Sequence, residues 1–107
     1  MGEVIPLHDP QDLRRVLQRI RKLWADGEVV ILPHAQTRMR ERGIDTPDIQ
    51  HVIRYGQIIK ICRPKILWRY TLQGKSVEGR RIACVIEITG RLLIVTVIDL
   101  TERKKKA

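Results

Sequence analysis

The chain has 107 residues, of which 43% are apolar and 31% are charged. A chain of this length and composition is expected to fold as one globular domain around a single core, which excludes disorder throughout. The 21 Lys and Arg residues outnumber the 12 Asp and Glu residues and give a net charge of +9. This excess favours a polyanionic partner, in the first place a nucleic acid and in the second an acidic protein.

The lengths of the apolar runs and the positions of the cysteines indicate the cellular compartment of the protein. A run such as residues 92–98 is too short to cross a bilayer, and no basic region followed by an apolar stretch opens the sequence. We therefore expect a cytoplasmic protein with no membrane partner. Cys62 and Cys84 lie in apolar, strand-like segments and are expected to be buried free thiols. The spacing of the histidines and cysteines gives little support to a metal site, so we expect no cofactor.

Residues 9–26 form the first predicted helix. Asp9 is placed to cap this helix, and Pro10 suits its first position. Apolar residues recur along it at helical spacing and predict one buried stripe: Leu13, Val16, Leu17, Ile20, Leu23 and Trp24. A short β-like run, residues 28–32, follows.

Residues 33–56 predict a helical hairpin whose first helix carries the most distinctive pattern of the chain. His34, Arg38 and Arg42 follow each other at intervals of four residues, so they lie along one face of that helix. An adjacent face is apolar and can reach a core. The hairpin therefore has an apolar inner side and a histidine–arginine outer side, and the outer side is the predicted working surface.

The second helix of the hairpin has recognisable ends. Gly43 supplies the turn before it, and Thr46 is expected to be its N-cap. Pro47 fits the first helical position, and Asp48 complements the positive end of the helix dipole. Gly56 ends the helix. Its apolar stripe consists of Ile49, Val52 and Ile53.

Beyond residue 56 the pattern changes to alternation and predicts about four antiparallel strands. They cover residues 57–62, 65–72, 80–88 and 91–99, and the last is rich in β-branched residues and therefore a central strand. The second of them would place on one face Ile66, Trp68, Tyr70 and Leu72. The opposite face of the sheet, where a ligand can meet it, would present Arg69, Thr71, Arg81, Ala83 and Glu87.

These elements predict an α+β fold, with the N-terminal helix and the helical hairpin packed on one face of a twisted antiparallel sheet. A single domain is expected over residues 1–102, with its core in residues 28–99. Residues 103–107 form a basic tail that is expected to be disordered, because like charges repel and no apolar residue anchors it.

The histidine–arginine face is the candidate catalytic site. His34 follows Pro33 at a helix start without a good capping side chain, so the uncapped amides and the helix dipole favour an anion there. Arg38 and Arg42 can grip phosphate oxygens, and a neutral histidine beside them can act as a general base or, once protonated, as an acid. These are the groups needed to cleave RNA through its own 2′-hydroxyl.

Residues of the predicted sheet extend this candidate site. Arg69 and Arg81, on adjacent strands, are candidates for further phosphate contacts. Tyr70 or Trp68 would offer a surface on which a base can stack.

Other interpretations of the same residues stay open. His34 can cap its own helix, and the arginines can form a solvated stripe with Glu41 and Asp45 nearby. No Asp or Glu that would orient His34 can be identified. The hairpin also suggests a helix-turn-helix DNA-binding motif, although its second helix, with Arg54 as its basic residue, is less basic than its first.

The hairpin contains a longer motif, His34-Ala35-x-x-Arg38-Met39-x-x-Arg42-Gly43-Ile44, followed by Asp48-Ile49-x-x-Val52-Ile53-x-x-Gly56-x-Ile58-Ile59. It resembles an uncharacterised bacterial domain family of the DUF4258 type over roughly residues 28–99, with the first helix as an N-terminal addition. That family looks similar to the RelE-like toxins, small basic ribonucleases of toxin–antitoxin systems that cut messenger RNA, and to the MqsR toxins.

The resemblance implies a RelE-like fold, RNA as the substrate, no metal, and an antitoxin as protein partner. RelE-like toxins commonly place catalytic residues on the sheet and near the C-terminus, often including a tyrosine or a histidine. In this chain the corresponding acid–base residue would be His34 or Tyr70.

Two hypotheses follow from the sequence. The first is a metal-independent endoribonuclease of a toxin–antitoxin system, acting on messenger RNA. Its acid–base residue would be His34, and its scissile phosphate would be held by Arg38, Arg42, Arg69 and Arg81. The second is a non-catalytic module that binds nucleic acid or an acidic protein by the same basic surface.

Overall fold

The computed structural model of the chain describes residues 3–4 and 10–101. Within these residues the elements are, in chain order, β1 (Glu3–Val4), α1 (Pro10–Ala25), β2 (Val29–Ile31), α2 (Pro33–Arg42), α3 (Thr46–Tyr55), β3 (Gln57–Arg63), β4 (Arg69–Lys75), β5 (Arg81–Ile88) and β6 (Leu92–Asp99). The expected helix cap Asp9 and the basic tail, residues 103–107, lie outside the described residues.

The strands form one sheet in the order β1-β3-β4-β5-β6-β2. Neighbouring strands are antiparallel, except that β2 pairs with β6 in parallel, with Val30 opposite Leu93. The four antiparallel strands predicted beyond residue 56 correspond to β3–β6, but the sheet as a whole was predicted incompletely, because it also includes β1 and the parallel edge strand β2. A three-residue strand such as β2 is too short for alternation to reveal its partner. The expected central position of the last strand is confirmed, because β6 lies between β5 and β2.

All three helices cover the same face of the sheet. The buried apolar residues form one cluster, to which the helices contribute residues such as Ile20, Ala35 and Ile49. The sheet contributes Leu72, Ile82, Cys84, Ile86, Leu92, Ile94 and Val97. The predicted α+β class, with the helices on one face of a sheet, is confirmed. No helix in the described part of the chain is long and apolar enough to span a membrane.

The opposite face of the sheet, which we call the helix-free face, is defined by strand register. Residues directly opposite each other on paired strands point to the same side, and Arg69 of β4 lies opposite both Cys62 and Glu87. By the same register the helix-free face consists of Val30, Gln57, Lys60, Cys62, Arg69, Thr71, Gln73, Lys75, Arg81, Ala83, Val85, Glu87, Leu93, Thr96 and Ile98. None of these residues belongs to the core cluster.

The strand β4 begins and ends later than alternation predicts. Residues 64–67 form bends, because Pro64 has no N–H with which to continue a ladder. Ile66 is 85% exposed and does not join the apolar face predicted for it. At its other end the strand continues through Gly74 to Lys75, where a loop was expected, and both residues pair with β5.

The helical hairpin is confirmed, with one correction at the start of α3. Gly43 ends α2 with a φ of +64°, in the left-handed region that favours glycine. The N-cap of α3 is Asp45 and not Thr46, which lies inside the first turn. Asp48 Oδ2 accepts a hydrogen bond from the Asp45 N–H at 2.9 Å. Asp48 Oδ1 accepts another, also at 2.9 Å, from the N–H of Val77 in the β4–β5 loop, so this carboxylate joins α3 to the sheet as well as capping the helix.

Arg80 joins the turn of the hairpin to the end of the sheet. Its Nη1 donates to the carbonyl oxygen of Arg42 at 3.0 Å and to Oδ2 of Asp99 at 2.9 Å. Its Nη2 donates to the carbonyl oxygen of Gly43 at 2.7 Å. A guanidinium at this place satisfies the last carbonyl groups of α2 and balances the negative end of the helix dipole. Arg80 therefore fixes the C-terminal end of α2 relative to β6.

Candidate nucleic-acid interface

His34, Arg38 and Arg42, which we call the α2 stripe, follow one another along one side of α2. His34 is exposed and makes no hydrogen bond or ion pair with any described residue. The N-cap residue of α2, Leu32, provides no side-chain cap, as expected. Arg38 Nη1 forms an ion pair with Glu41 Oε1 at 3.0 Å, and Arg42 is half-buried. The stripe is thus a partly neutralised helix surface with an open imidazole at its start.

The α2 stripe and the helix-free face lie on different sides of the sheet. Ala35 of α2 is buried in the core cluster, and that cluster occupies the helix-covered face. Arg69 and Arg81 belong to the helix-free face by register. The structure therefore does not bring the stripe together with these two arginines, and the predicted phosphate-binding residues form two surfaces.

Arg69 and Glu87 form the closest charged pair on the helix-free face. They are opposite each other on β4 and β5, and both Nε and Nη2 of Arg69 reach Oε2 of Glu87, at 2.9 and 2.7 Å. The side chain of Arg69 is 35% exposed and that of Glu87 is 15% exposed. This pair is therefore half-buried within the sheet surface, and Arg69 offers solvent only part of its guanidinium.

Arg81 lies at the far end of the helix-free face from Arg69. Arg69 is opposite Glu87, and Arg81 precedes Glu87 by six positions on β5, which corresponds to about 20 Å of strand. The two arginines therefore cannot hold the same phosphate. Lys60, opposite Thr71, lies between them on β3. The positive charges of this face are spread along its length, as a linear polyanion would require.

Tyr70 lies on the helix-covered face, where it packs against the core cluster. Burial raises its pKa, and the nearby positive charge of Arg19 on α1 opposes that shift. Trp68 has the guanidinium of Arg63 over its ring, 4.9 Å from the centroid. The structure thus places Tyr70 on the opposite face of the sheet from Arg69 and Arg81, and Trp68 precedes the paired residues of β4.

The thiols and acidic residues do not assemble a metal site in the described part of the chain. No group of three or more His, Cys, Asp or Glu side chains is placed to hold an ion there. Cys62 and Cys84 are free thiols, as expected, although Cys84 is buried and Cys62 only half-buried. Burial raises the pKa of the Cys84 thiol to about 12.

Sequence reasoning missed the partners that shape both surfaces. Glu87 was placed on the correct face but was given no role, because pairing it with Arg69 requires the register of β4 against β5. Lys60 was not assigned to a face, because a register shift in β3 between Ile58 and Lys60 breaks the alternation on which such assignments depend. Arg80 was overlooked because its partners are backbone carbonyls far away in sequence.

The fold and this surface define a basic α+β domain with helices on one side of a mixed sheet and an uncovered face on the other. The model of a family described as a domain of unknown function (DUF4258) matches residues 31–99, which is more than half of the chain. The chain therefore belongs to this family. The matched range runs from β2 to β6 and includes the helical hairpin, whereas α1 lies outside it. Comparison with curated proteins found no match, and comparison with solved structures found none either.

Proposed function

We propose that this protein is a metal-independent endoribonuclease that holds a single RNA strand on the helix-free face. The observation that carries the proposal is the uncovered, elongated and positively charged surface of that face. Its charged residues are Lys60, Arg69, Lys75 and Arg81 against Glu87. The resemblance to RelE-like toxins supports cleavage of messenger RNA as the reaction and an antitoxin, an acidic protein by charge complementarity, as the partner.

The shape of the helix-free face suits a polymer better than a small molecule. The depressions of about 400, 270 and 430 Å³ in the surface lie among the helices and at the edge of β3. Of the residues of the helix-free face, Gln57 at the start of β3 lines the third depression, and the other two are lined by none of them. The middle of the face has short side chains, including Thr71, Ala83 and Val85, over which a backbone can pass closely. The helix-free face would therefore bind RNA through a row of contacts along the strand rather than by enclosing it in a pocket.

The side chains of the helix-free face indicate how an RNA strand would be recognised. This set includes no aromatic residue, so base stacking would contribute little there. Phosphate contacts by lysine and arginine would dominate, which makes binding depend strongly on salt and weakly on sequence. Discrimination of RNA from DNA would come from contact with the 2′-hydroxyl.

The α2 stripe remains a separate candidate for the acid–base chemistry. In the proposal from the sequence, His34 moves the proton while Arg38 and Arg42 hold the phosphate. The open imidazole of His34 supports this candidate, and the distance of the stripe from the sheet arginines makes it an alternative to the helix-free face. A His34→Ala variant separates the two sites, because only a site on the α2 stripe would lose cleavage.

The test is cleavage of end-labelled single-stranded RNA by the purified protein in EDTA. We expect RNA fragments, and we expect the double variant Lys60→Ala/Arg81→Ala to bind and cleave at least tenfold less well. The matched control is Arg15→Ala/Arg40→Ala, which removes the same charge from exposed positions on the helix side and should change both quantities little. Absence of cleavage of every RNA tested, together with absence of growth arrest on expression, would overturn the proposal.

A non-catalytic binding module is the second candidate, and the Arg69–Glu87 ion pair favours it, because the carboxylate holds Nε and Nη2 of Arg69 and leaves Nη1 for a phosphate. This alternative predicts salt-sensitive binding of RNA without products. Each cation removed from the interface should then lower the slope of log K against log salt by about 0.7 for a single strand. Binding with that slope and with intact RNA would decide for the module.

A further inference from the structure

The geometry points to Glu87 as the general base of the proposed ribonuclease, with Arg69 as the cation that holds the reacting phosphate. This inference rests on the proposed function and names the catalytic residue that the sequence left unassigned. It places the reaction at the end of the helix-free face where Arg69 and Glu87 lie. Lys60 and Arg81 then bind the RNA strand further along the face.

The contacts of the Arg69–Glu87 pair leave one carboxylate oxygen for a substrate. Nε and Nη2 of Arg69 converge on Oε2 of Glu87, which leaves Nη1 of the guanidinium to face a phosphate. Oε1 receives no hydrogen bond from any described residue, and the side chain retains 15% of its exposure. A 2′-hydroxyl can therefore donate to Oε1 while Arg69 still orients the carboxylate. The bond from Arg69 determines which oxygen is presented, as required of a preorganised base.

Four other carboxylates of the described chain are engaged in structural contacts away from this face. Asp48 is buried between α3 and the β4–β5 loop, where it accepts two backbone hydrogen bonds. Asp99 is buried and pairs with Arg80. Glu41 and Asp26 are in ion pairs on the outer surface of helices. Within the described residues, Glu87 is the one carboxylate of the helix-free face.

The groups that face Glu87 come from the two neighbouring strands. On β4 it faces Arg69, and on β6 it faces the apolar side chain of Leu93. One strand further away, the titratable residues of the same face are Cys62 and Lys60 on β3. All three helices lie on the other side of the sheet, so none of their ionisable groups faces Glu87. The base is thus held between one cation and an apolar neighbour that limits access of water.

The reaction is a transesterification within the RNA chain. Glu87 takes the proton of the 2′-hydroxyl, the 2′-oxygen forms a bond to phosphorus, and the bond from phosphorus to the 5′-oxygen breaks. The 5′-oxygen takes a proton from water, and Glu87 returns its proton to solvent. The products are a 2′,3′-cyclic phosphate and a 5′-hydroxyl, with no oxidant, metal or other reactant consumed. Arg69 stabilises the additional negative charge on the phosphoryl oxygens in the transition state.

The experiment compares the Glu87→Gln variant with the wild-type protein on an RNA oligonucleotide. Glutamine keeps the size and an acceptor oxygen for Arg69 but cannot take a proton at neutral pH. We expect kcat to fall by about 10²- to 10⁴-fold while RNA binding changes less than threefold. Glu28→Gln is the matched control, because Glu28 also pairs with an arginine, Arg91 at 3.5 Å, and lies outside the proposed site.

Rescue by a carboxylate and the chemistry of the products give readouts that a merely structural Glu87 would not change. Glu87→Asp, which keeps a carboxylate, should recover at least tenfold over Glu87→Gln. An oligonucleotide with a 2′-deoxy sugar at the cleaved position should bind and stay intact. Thermal melting of each variant identifies any loss that comes from unfolding.

The outcomes separate this inference from the function on which it rests. If wild-type protein cleaves no RNA, both fail. If wild-type protein cleaves and Glu87→Gln cleaves at the same rate, the assignment of Glu87 alone is overturned. If Glu87→Gln does not fold, the decision rests on the wild-type products and on Glu87→Asp, and products other than a 2′,3′-cyclic phosphate overturn it.

Discussion

At the scale of single residues, Gly56 is where the helical hairpin comes closest to the sheet. A Cβ built at this position would lie 2.5 Å from the carbonyl oxygen of Val52 and 2.6 Å from that of Gln73. Gly74 of β4 lies against the same site, since a Cβ there would be 3.2 Å from the Cα of Gly56. Two glycines facing each other thus allow the end of α3 to pass directly over β4. The need here is for space, because the φ of Gly56 is −81°.

Replacement of Gly56 by alanine should lower the free energy of unfolding by about 1–3 kcal/mol, because backbone atoms of both α3 and β4 must move. Gly90→Ala is the matched control, since its Cβ would meet nothing within 4 Å. We expect that control to change stability by less than about 0.5 kcal/mol. Urea unfolding followed by circular dichroism measures both, and equal stability of the two variants would contradict the close approach.

The two thiols should differ in reactivity. Burial raises the pKa of Cys84 to about 12, so almost none of it is thiolate at pH 8, whereas Cys62 is half-buried on the helix-free face. In native protein at pH 8 we expect iodoacetamide to label Cys62 at least tenfold faster than Cys84. Both should react alike in urea. Peptide mass spectrometry reads the label, and fast labelling of Cys84 in the native protein would show that its site opens.

At the scale of elements, the start of α3 depends on a carboxylate that serves two elements. Asp48 accepts hydrogen bonds from the N–H groups of Asp45 and Val77, so its loss would uncap the helix and release the β4–β5 loop. Thr46, the N-cap expected from the sequence, lies within the helix instead. Substitutions at Asp48 and at Thr46 therefore compare the contact that stabilises the observed helix start with the N-cap predicted from the sequence.

Asp48→Ala should destabilise the protein by about 1–3 kcal/mol, because two backbone donors lose a charged acceptor. Thr46→Ala should cost less than about 0.5 kcal/mol, as expected for an exposed first-turn residue without a capping role. Denaturant titrations of both variants provide the measurement. A larger effect of Thr46→Ala than of Asp48→Ala would indicate that Thr46 is the N-cap, as the sequence predicts.

The sequence predicted most elements because their signals are local. The hairpin follows from the spacing of its apolar residues and from Gly43 and Gly56, and the last strands follow from alternation. The limits of β4 could not be predicted in this way. Its start depends on how Pro64 interrupts pairing, and its end depends on pairing with β5 through Gly74, a residue that usually weakens a strand.

The candidate site could be predicted only in part, for the same physical reason. Spacing of four residues correctly placed His34, Arg38 and Arg42 along one side of a helix. Spacing cannot tell which side of the sheet that helix covers, so it could not separate the stripe from Arg69 and Arg81. The Arg69–Glu87 pair depends on the register between two strands, which local patterns leave undetermined.

At the scale of the whole molecule, Arg80 connects parts of the chain that are distant in sequence. Its guanidinium contacts the end of α2 through Arg42 and Gly43 and the end of β6 through Asp99. Asp99 is only 6% exposed, so its charge depends on partners within the protein. A single side chain thereby stabilises the junction of helices and sheet.

Arg80→Ala should lower the free energy of unfolding by at least about 2 kcal/mol, because the buried carboxylate of Asp99 loses its ion pair with Arg80 and two carbonyl groups lose a hydrogen bond. Arg91→Ala is the control, since its ion pair with Glu28 is 3.5 Å long and more than half exposed. That control should cost less than about 1 kcal/mol. Thermal and urea unfolding measure the difference. Asp99→Asn in the Arg80→Ala background should restore part of the loss, and an absence of any recovery would argue against the buried charge as its cause.

The parallel pairing of β2 with β6 also sets the order in which a nascent chain can assemble. Val29 and Ile31 emerge from the ribosome early, yet their partners Leu92 and Ile94 follow about 60 residues later. Closing so long a loop reduces the conformational entropy of the chain before any contact between β2 and β6 stabilises it. The strand β2 thus lacks its partner until β6 has been synthesised. Its apolar edge is open to wrong pairing during translation, and insertion of the final strand ends that exposure.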